Sequence, residues 1–408
     1  METFRQLSLV TKITIKKSNS TFLLDETGAL YACGYNEYGQ LGLGDDQDRS
    51  TLTRMPLEES VKTVVVGSGS TYVLTRSGAL YACGYNYFGQ LGLGDKQDRS
   101  TLTRVPLEES VKTVVTCNDS TYVFTVSGAL YACGDNGYGQ LGLGDYRNRS
   151  TLRRVPLAEN ARMVVVGNFY STYVLTVSGA LYACGYNGFG QLGLGDNRAQ
   201  SSLTRVKMDE KVMTITADNN FVYVTTVDGI LYSCGRNLHG QLGFGDNRHR
   251  SSLQKAPLRE KAMTIITDNS SVFVVTRSGA LYACGNNYFG QLGLGDREDH
   301  STLRMVSLNE KVKTVIINSQ SAYVVTVGGA LYACGYNSFG QLGLGDNQDR
   351  STFTKVPLEE GVKIVGIGDY SIYVLTVSGA LYACGNNKYS QLGLGDNVPR
   401  TVLAPVTY

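Results

Sequence analysis

An eighteen-residue stretch recurs eight times in this 408-residue chain and constrains the fold more than any other feature. Its first copy covers residues 28–45, and every copy follows the pattern G-x-L-Y-x-C-G-x-N-x-x-[GS]-Q-L-G-x-G-D. The later copies follow at steps of 50 or 51 residues, beginning at Gly78, Gly128, Gly179, Gly229, Gly279, Gly329 and Gly379. Such a period indicates an array of units that bury a face on their neighbours. We therefore expect one domain over residues 1–408.

Each period is predicted to contain four short strands. In the second unit they cover residues 78–83, 101–107, 111–115 and 121–125, and the glycine-rich segment 84–95 is predicted to be a turn-rich loop. A proline such as Pro106 suits an edge strand, which does not need every N–H group. Four-stranded units in tandem predict an all-β fold, a β-propeller with eight blades. We expect the strands at residues 10–15 and 21–24 to complete the last blade and so to close the ring.

The charge of the chain is nearly balanced, with 37 Lys and Arg against 35 Asp and Glu. No basic block is present, which disfavours nucleic acid as a partner. No apolar run is long enough to span a membrane, and residues 1–9 do not resemble a secretory signal. We expect a monomer in the cytoplasm, either of its own cell or, for a secreted effector, of a host cell.

Eight of the nine cysteines occupy one motif position, which predicts buried, reduced thiols. They are Cys33, Cys83, Cys133, Cys184, Cys234, Cys284, Cys334 and Cys384, and the ninth is Cys117. Equivalent positions in neighbouring blades should lie too far apart for disulfides.

No catalytic grouping is evident, and we expect no cofactor and no metal. The three histidines, His239, His249 and His300, are predicted to lie exposed in loops, without a Ser-His-Asp or Cys-His spacing. The string Asp45, Asp46 and Asp48 looks like part of a calcium site, but other copies lose it. The glycines predict positive φ or close packing between blades, not a dinucleotide site.

Three sets of positions vary between the copies or carry aromatic side chains, and variable loops on a rigid scaffold are where recognition is usually placed. The residues before the motif Asn are Tyr35, Tyr85, Asp135, Tyr186, Arg236, Asn286, Tyr336 and Asn386. Those two places after it are nearly all aromatic, which favours packing: Tyr38, Phe88, Tyr138, Phe189, His239, Phe289, Phe339 and Tyr389. The third set lies in the turn between the two inner strands and includes Asn118, Asp119, Phe169, Tyr170 and Tyr370.

Our predicted partner-binding residues come from the first and third sets, because Tyr and Arg often anchor protein interfaces. They are Phe169, Tyr170, Tyr370, Tyr35, Tyr85, Asp135, Tyr186, Arg236 and Tyr336. Neutral drift after recent duplication would explain the same variation without any binding role.

The motif resembles the repeat of the regulator of chromosome condensation family, with its Gly-x-x-Tyr strand and Gly-x-Asn-x-x-Gly-Gln-Leu-Gly-x-Gly loop. The resemblance covers essentially the whole chain and implies a propeller with one blade per repeat. Family members most often have seven blades, and eight copies depart from that number.

The resemblance leaves several functions open. The founding member is an exchange factor for the small GTPase Ran and docks on chromatin, whereas relatives include modules in giant ubiquitin ligases, a plant UV-B photoreceptor and a bacterial β-lactamase inhibitor. The family's exchange factor inserts a protruding hairpin into the GTPase, but no unit here carries an insertion longer than one residue. We expect a protein-binding propeller. A guanine-nucleotide exchange factor for a Ran-like GTPase is the first alternative, and a consensus-like scaffold without natural function is the second.

Overall fold

The computed structural model describes residues 10–15, 20–25, 27–318, 320–368, 370–388 and 392–406. Within these residues it contains thirty-two strands in eight four-stranded antiparallel sheets. The fold is an all-β, eight-bladed β-propeller, and each sheet is one blade built from consecutive residues. The described residues include no helix long and apolar enough to cross a membrane.

The chain divides into two compact units, described in turn. Unit 1 comprises Met1–Gly188 and Asp196–Lys211, and it contains blades 1 to 4. The strands of blades 1 and 2 are β1 (Val10–Ile15), β2 (Ser20–Asp25), β3 (Leu30–Gly34), β4 (Arg49–Arg54), β5 (Val61–Val66), β6 (Ser70–Thr75), β7 (Leu80–Gly84) and β8 (Arg99–Arg104). Those of blades 3 and 4 are β9 (Val111–Cys117), β10 (Ser120–Thr125), β11 (Leu130–Gly134), β12 (Arg149–Arg154), β13 (Ala161–Gly167), β14 (Ser171–Thr176), β15 (Leu181–Gly185) and β16 (Gln200–Arg205).

Unit 2 comprises Phe189–Gly195 and Val212–Tyr408, and it contains blades 5 to 8. The strands of blades 5 and 6 are β17 (Val212–Asp218), β18 (Phe221–Thr226), β19 (Leu231–Gly235), β20 (Arg250–Lys255), β21 (Ala262–Asp268), β22 (Ser271–Thr276), β23 (Leu281–Gly285) and β24 (His300–Met305). Those of blades 7 and 8 are β25 (Val312–Asn318), β26 (Ser321–Thr326), β27 (Leu331–Gly335), β28 (Arg350–Lys355), β29 (Val362–Gly368), β30 (Ser371–Thr376), β31 (Leu381–Gly385) and β32 (Arg400–Pro405).

The predicted closure by the N-terminal strands is wrong. β1 and β2 pair with β3 and β4 in blade 1, while blade 8 has four strands of its own, β29 to β32. The repeat is therefore phased two strands earlier than the glycine motif suggests. Hairpin pairing between strands that follow each other in sequence explains this phase, because consecutive strands usually pair. The prediction of one domain over residues 1–408 stays a prediction.

The fourth strand of each blade is also shifted relative to its prediction. In blade 2 it covers Arg99–Arg104 and ends before Pro106, which lies in the following loop. In blade 8 the predicted edge-strand proline is found, because Pro405 is the last residue of the edge strand β32.

The core of each unit lies between successive blades. In unit 1, for example, Phe22 and Leu30 of blade 1 pack with Val64 and Val73 of blade 2, and all four are buried. The two further interfaces of unit 1 and the three of unit 2 contain equivalent clusters. The second strand of most blades is buried at every position, which explains its lack of polar alternation.

Polar bonds within the glycine loop, residues 85–98 in blade 2, set its shape. The Asn86 side chain donates to the Asp95 and Gln97 carbonyls at 3.2 and 3.0 Å and accepts from the Leu91 N–H at 2.9 Å. Asp95 also pairs with Arg99 at 2.5 Å. Leu93 then forms a bridge with Thr151 of blade 3, so each blade's loop is joined to the next blade of its unit.

Candidate functional site

Two connections meet at one edge of blades 2 to 8: the turn between the first and second strands, called the inner turn, and the glycine loop. In blade 2 the N–H of Tyr85, which precedes the motif Asn, donates to the inner-turn carbonyl of Gly69 at 2.9 Å. The same bond joins Asp135 to Asp119 and Tyr186 to Tyr170 in unit 1, and Arg236 to Asn220, Tyr336 to Gln320 and Asn386 to Tyr370 in unit 2. The variable positions of each unit therefore form one surface, which we call the loop surface of that unit.

Aromatic rings dominate the loop surface of unit 1. Tyr38 lies 5.1 Å from Tyr85 of the next blade, measured between ring centroids. Tyr138 stacks on Tyr170 at 5.0 Å and meets Tyr186 edge-on at 5.3 Å. These rings are not fully covered, since Tyr38 and Tyr138 remain 37% and 44% exposed. The same side chains therefore contact a neighbouring ring and remain partly exposed to solvent.

The loop surface of unit 2 has a second aromatic cluster and a cation. Tyr336 lies 5.1 Å from Phe289 and 5.9 Å from Tyr370, and Phe339 lies 5.0 Å from Tyr370. The guanidinium of Arg236 lies 5.7 Å from the ring centroid of Phe189. The contact is within the range of a cation–π interaction.

Tyr170 and Tyr370 adopt backbone conformations that disfavour their side chains. Their φ angles are +59° and +53°, in the left-handed region that suits Gly or Asn. The chain has Gly69, Asn220 and Ser270 at equivalent places, with φ angles of +73°, +63° and +75°. A bulky residue held in this region costs free energy, and such outliers cluster at functional positions.

The motif glutamine links the frame of each blade to the variable residues. Gln90 is buried, its Oε1 accepts the Phe88 N–H at 3.0 Å, and its Nε2 donates to Asp119 of the next blade at 3.1 Å. In the same way Gln191 donates to Asn220 at 3.1 Å within unit 2. The inner-turn side chains of Asp119 and Asn220 are therefore anchored by the motif glutamine of the preceding repeat.

Two carboxylates lie together on the loop surface of unit 1. Asp135 accepts from Gln140 at 2.9 Å and from the Gly137 N–H at 3.1 Å. Burial and then the charge of Asp135 raise the pKa of Asp119 to about 6. The charges of Asp135 and Asp119 also contribute, after burial, to the raised pKa of Tyr170. The two carboxylates and an aromatic ring therefore lie near one another on the loop surface of unit 1.

The structure brings all the predicted partner-binding residues to the loop surfaces. Tyr35 meets Tyr38 edge-on at 6.4 Å, and Phe169 is 46% exposed. Their binding role stays a prediction. We did not include Asp119, Phe88 and Tyr138 among these residues. Asp119 varies between copies and could have been chosen on that signal, whereas the motif aromatics were assigned to packing.

The prediction that all three histidines lie exposed in loops is wrong for His300, which begins β24, and His239 is only partly exposed. Only 5% of His300 is exposed, and its Nε2 lies 2.8 Å from Asp296, where other blades have an Arg–Asp pair such as Arg250–Asp246. His249 is exposed, and its Nδ1 accepts the Asn237 N–H, the role that Asp349 has for Asn337. His239 bonds Asp299 at 2.7 Å. Each histidine therefore replaces a repeated structural residue.

The acidic string that looked like part of a calcium site takes part in internal bonds. Asp45 pairs with Arg49 at 2.5 Å, and Asp48 accepts the Asn36 N–H at 2.8 Å. Among the described residues, no group of three or more His, Cys, Asp or Glu side chains is arranged to hold a metal ion.

Comparison with known families decides the classification. The family described as "Regulator of chromosome condensation (RCC1) repeat" matches residues 27–74, 77–121, 127–174, 178–224, 278–315, 328–368 and 378–407. A second profile of the same description matches residues 61–90. The chain belongs to this repeat family.

Solved structures share the fold of this RCC1-repeat protein at low sequence identity. Human WBSCR16 is similar with a TM-score of 0.61 and 20% identity, over 83% of this chain and 96% of that one. Yeast RCC1 (Prp20), solved with Kap60 bound, gives 0.60 and 19%, over 90% and 89%. Prp20p from Saccharomyces cerevisiae, described with its binding properties to Gsp1p and histones, gives 0.59 and 17%, over 95% and 88%. No curated protein sequence matches the chain.

Proposed function

We propose that this protein is a protein-binding propeller that recognises a partner protein through its loop surfaces. The main support is the pair Tyr170 and Tyr370, which are large aromatic residues in left-handed backbone positions where other blades have Gly, Asn or Ser. Folding alone does not require a tyrosine there, since those smaller residues fit the same turn with less strain. Partly exposed Tyr side chains on a rigid support are common anchors of protein interfaces.

The distribution of variation along the chain supports the same proposal. The strand Leu80–Gly84 and its counterparts repeat almost without change, because both their faces pack against neighbouring residues. The inner turns and the residues before the motif Asn differ between blades although they have the same backbone bonds. The chain therefore resembles a constant scaffold with variable recognition positions. Yeast RCC1, which shares this fold, has been solved bound to a protein, Kap60.

The test uses substitutions that the chain itself shows to be compatible with the fold. Tyr170→Asn and Tyr370→Asn each introduce the residue found at Asn220, in the same φ region. Val177→Asn is the matched control, since Val177 is 66% exposed and lies in the turn after β14, at the opposite end of that strand from Tyr170. We would capture partners from a eukaryotic lysate with each variant, identify them by mass spectrometry, and measure affinity with the purified partner.

The expected result is a partner whose affinity falls at least tenfold with one tyrosine variant, about 1.4 kcal/mol, and stays within twofold with Val177→Asn. Circular dichroism would verify that all variants are folded. A partner that binds all three variants with equal affinity would overturn the proposal.

Guanine-nucleotide exchange on a Ran-like small GTPase is a second candidate, supported by membership of the RCC1-repeat family and by the described binding of Prp20p to Gsp1p. Exchange factors bind the nucleotide-free GTPase, so EDTA, which removes Mg²⁺, should increase its capture. Acceleration of labelled-nucleotide release by the purified protein would support this candidate, and release at the intrinsic rate would exclude it for the GTPase tested.

A further inference from the structure

The two carboxylates of blade 3 have only neutral partners. Gln90 donates to Asp119, while Gln140 and the Gly137 N–H donate to Asp135. Within the described part of the chain, neither carboxylate forms an ion pair with a Lys or Arg. Burial of Asp119, and then repulsion by the charge of Asp135, raises the pKa of Asp119 because no cation is paired with either carboxylate.

Blade 5 shows the same backbone arrangement with a cationic side chain present. At the positions of Asp119 and Asp135 it has Asn220 and Arg236, joined by the same backbone hydrogen bond at 2.8 Å in both blades. The Arg236 guanidinium lies 5.7 Å from the ring centroid of Phe189, the motif aromatic of the preceding repeat. The counterpart of Phe189 in unit 1 is Phe88, and Gln90 holds Phe88 and Asp119 as Gln191 holds Phe189 and Asn220.

The described variable positions of blades 2 to 4 in unit 1 include no Lys or Arg. Their charged residues are Asp119 and Asp135, which stand among aromatic side chains. Asp119 is close to two of these rings, since its charge contributes to the raised pKa of both Tyr85 and Tyr170, after burial as the main cause. Carboxylates beside exposed aromatic rings favour a guanidinium, which can pair with the acids and stack on a ring.

We propose that the loop surface of unit 1 binds an arginine side chain of the partner protein, between the ring of Phe88 and the carboxylates of Asp119 and Asp135. The arginine occupies the place that Arg236 fills from within the chain in unit 2. This inference rests on the proposed function and specifies the chemistry of the partner: a basic segment rather than an acidic one.

Fluorescence anisotropy with a labelled hexa-arginine peptide tests the inference on the full-length protein. Hexa-citrulline is the matched probe, because citrulline has nearly the shape of arginine without its charge. The variants are Asp119→Asn and Asp135→Asn, singly and together, and both residues occur in this chain at equivalent positions, as Asn220 and Asn286. Asp228→Asn is the control, because it removes one charge from an exposed turn of unit 2.

We expect hexa-arginine to bind the unchanged protein at least tenfold more tightly than hexa-citrulline. The double variant should lose at least tenfold in affinity, and Asp228→Asn should stay within twofold. Asp135→Arg, which copies Arg236, should also weaken the binding of hexa-arginine. Equal affinity for the two peptides, or equal loss in the control, would overturn the inference.

The two proposals can fail separately. A partner that is lost with Tyr170→Asn but binds the Asp119→Asn, Asp135→Asn double variant unchanged would overturn the arginine site and leave the protein-binding function in place. A hexa-arginine site that depends on both carboxylates, together with partner binding that ignores both tyrosines, would overturn the proposed function through those anchors and retain the arginine site.

Discussion

The polar atoms of a single motif residue, Gln90, have different roles: some are structural, and one faces a variable position. The carbonyl of Gln90 accepts the Tyr72 hydroxyl at 2.7 Å and the Cys133 thiol at 3.3 Å, so its backbone connects two neighbouring blades of unit 1. Its side-chain oxygen is occupied by the Phe88 N–H. Only the side-chain nitrogen Nε2 of Gln90 faces a position that differs between repeats, namely the inner turn of the next blade. For Gln40 of blade 1 and Gln341 of blade 7, the corresponding position in the next blade is Gly69 or Tyr370, and the glutamine Nε2 is buried without an acceptor in the described structure. A buried donor without a hydrogen-bond partner lowers the free energy of unfolding.

The raised pKa of Asp119 leads to a prediction about stability and pH. The carboxyl has a pKa of about 6 in the folded protein and about 3.8 when unfolded. The folded state therefore binds the proton more tightly, and stability falls as pH rises from about 4 through 6. Asn resembles the protonated form, so Asp119→Asn should be more stable than the unchanged protein at pH 7.5, by about 1 kcal/mol after allowing for solvent screening.

Urea unfolding at pH 7.5 and pH 4 would measure this difference. The advantage of Asp119→Asn should shrink toward zero at pH 4, where Asp119 is protonated in the folded state. Asp228→Asn serves as the control. An equal gain in stability for Asp119→Asn at pH 7.5 and at pH 4 would contradict the raised pKa of Asp119.

At the scale of elements, the glycine loop is the segment that changes least between repeats. Its internal bonds define its shape, and its close approach to the next blade defines its position. Gly89 shows the tightness of that approach, because a Cβ atom there would lie 2.5 Å from the Cα of Ser150 in blade 3. The loop is therefore also part of the blade interface.

Alanine at three glycines of unit 1 separates steric contact from backbone strain. Gly89→Ala combines a φ of +83° with the clash against Ser150, and we expect a loss of about 3 kcal/mol or more. Gly94→Ala has a φ of +102° and open space, so strain alone should cost about 1–2 kcal/mol. Gly137→Ala has neither problem and should change stability by less than about 0.5 kcal/mol. Urea midpoints followed by circular dichroism would rank the three, and Gly94→Ala as costly as Gly89→Ala would refute the close approach.

At the scale of the whole molecule, each unit is held together by repeated interfaces. Every interface within a unit combines an apolar cluster with a glycine-loop bridge such as Leu43–Thr101 in unit 1 or Leu294–Thr352 in unit 2. Motif cysteines such as Cys83 and Cys334 lie in these interfaces, where they donate to glutamine carbonyls of the preceding blade. All eight motif cysteines are free thiols, and all are buried except Cys33, which is half-buried like Cys117.

Thiol labelling should therefore report the integrity of the interfaces. Burial raises the pKa of buried thiols such as Cys83, so they should resist iodoacetamide at pH 8 while the protein is folded. We expect native labelling at two thiols, Cys33 and Cys117, and at all nine in urea. Mass spectrometry would count the adducts, and Cys117→Ser should reduce the native count by one. Labelling of the seven buried thiols at the same rate as Cys117 would refute tight interfaces.

The sequence by itself determined the blade number, the strand content and the place of the variable loops, because these follow from local chemistry repeated at a fixed period. Strands β1 and β9 were predicted within two residues of their observed bounds. The role of His300 could also be deduced, since Asp296 and His300 have the spacing of Asp45 and Arg49.

Only the tertiary structure decided the phase of the blades and which residues form the proposed arginine site. Both phases give four-stranded blades of near-identical strands, so the repeat pattern by itself did not distinguish blade 1 from a completed blade 8. Asp119 and Asp135 are 16 residues apart and Phe88 belongs to the preceding repeat. Their common location depends on how sheets twist and how a loop packs onto its neighbour, which are long-range consequences that no local pattern encodes.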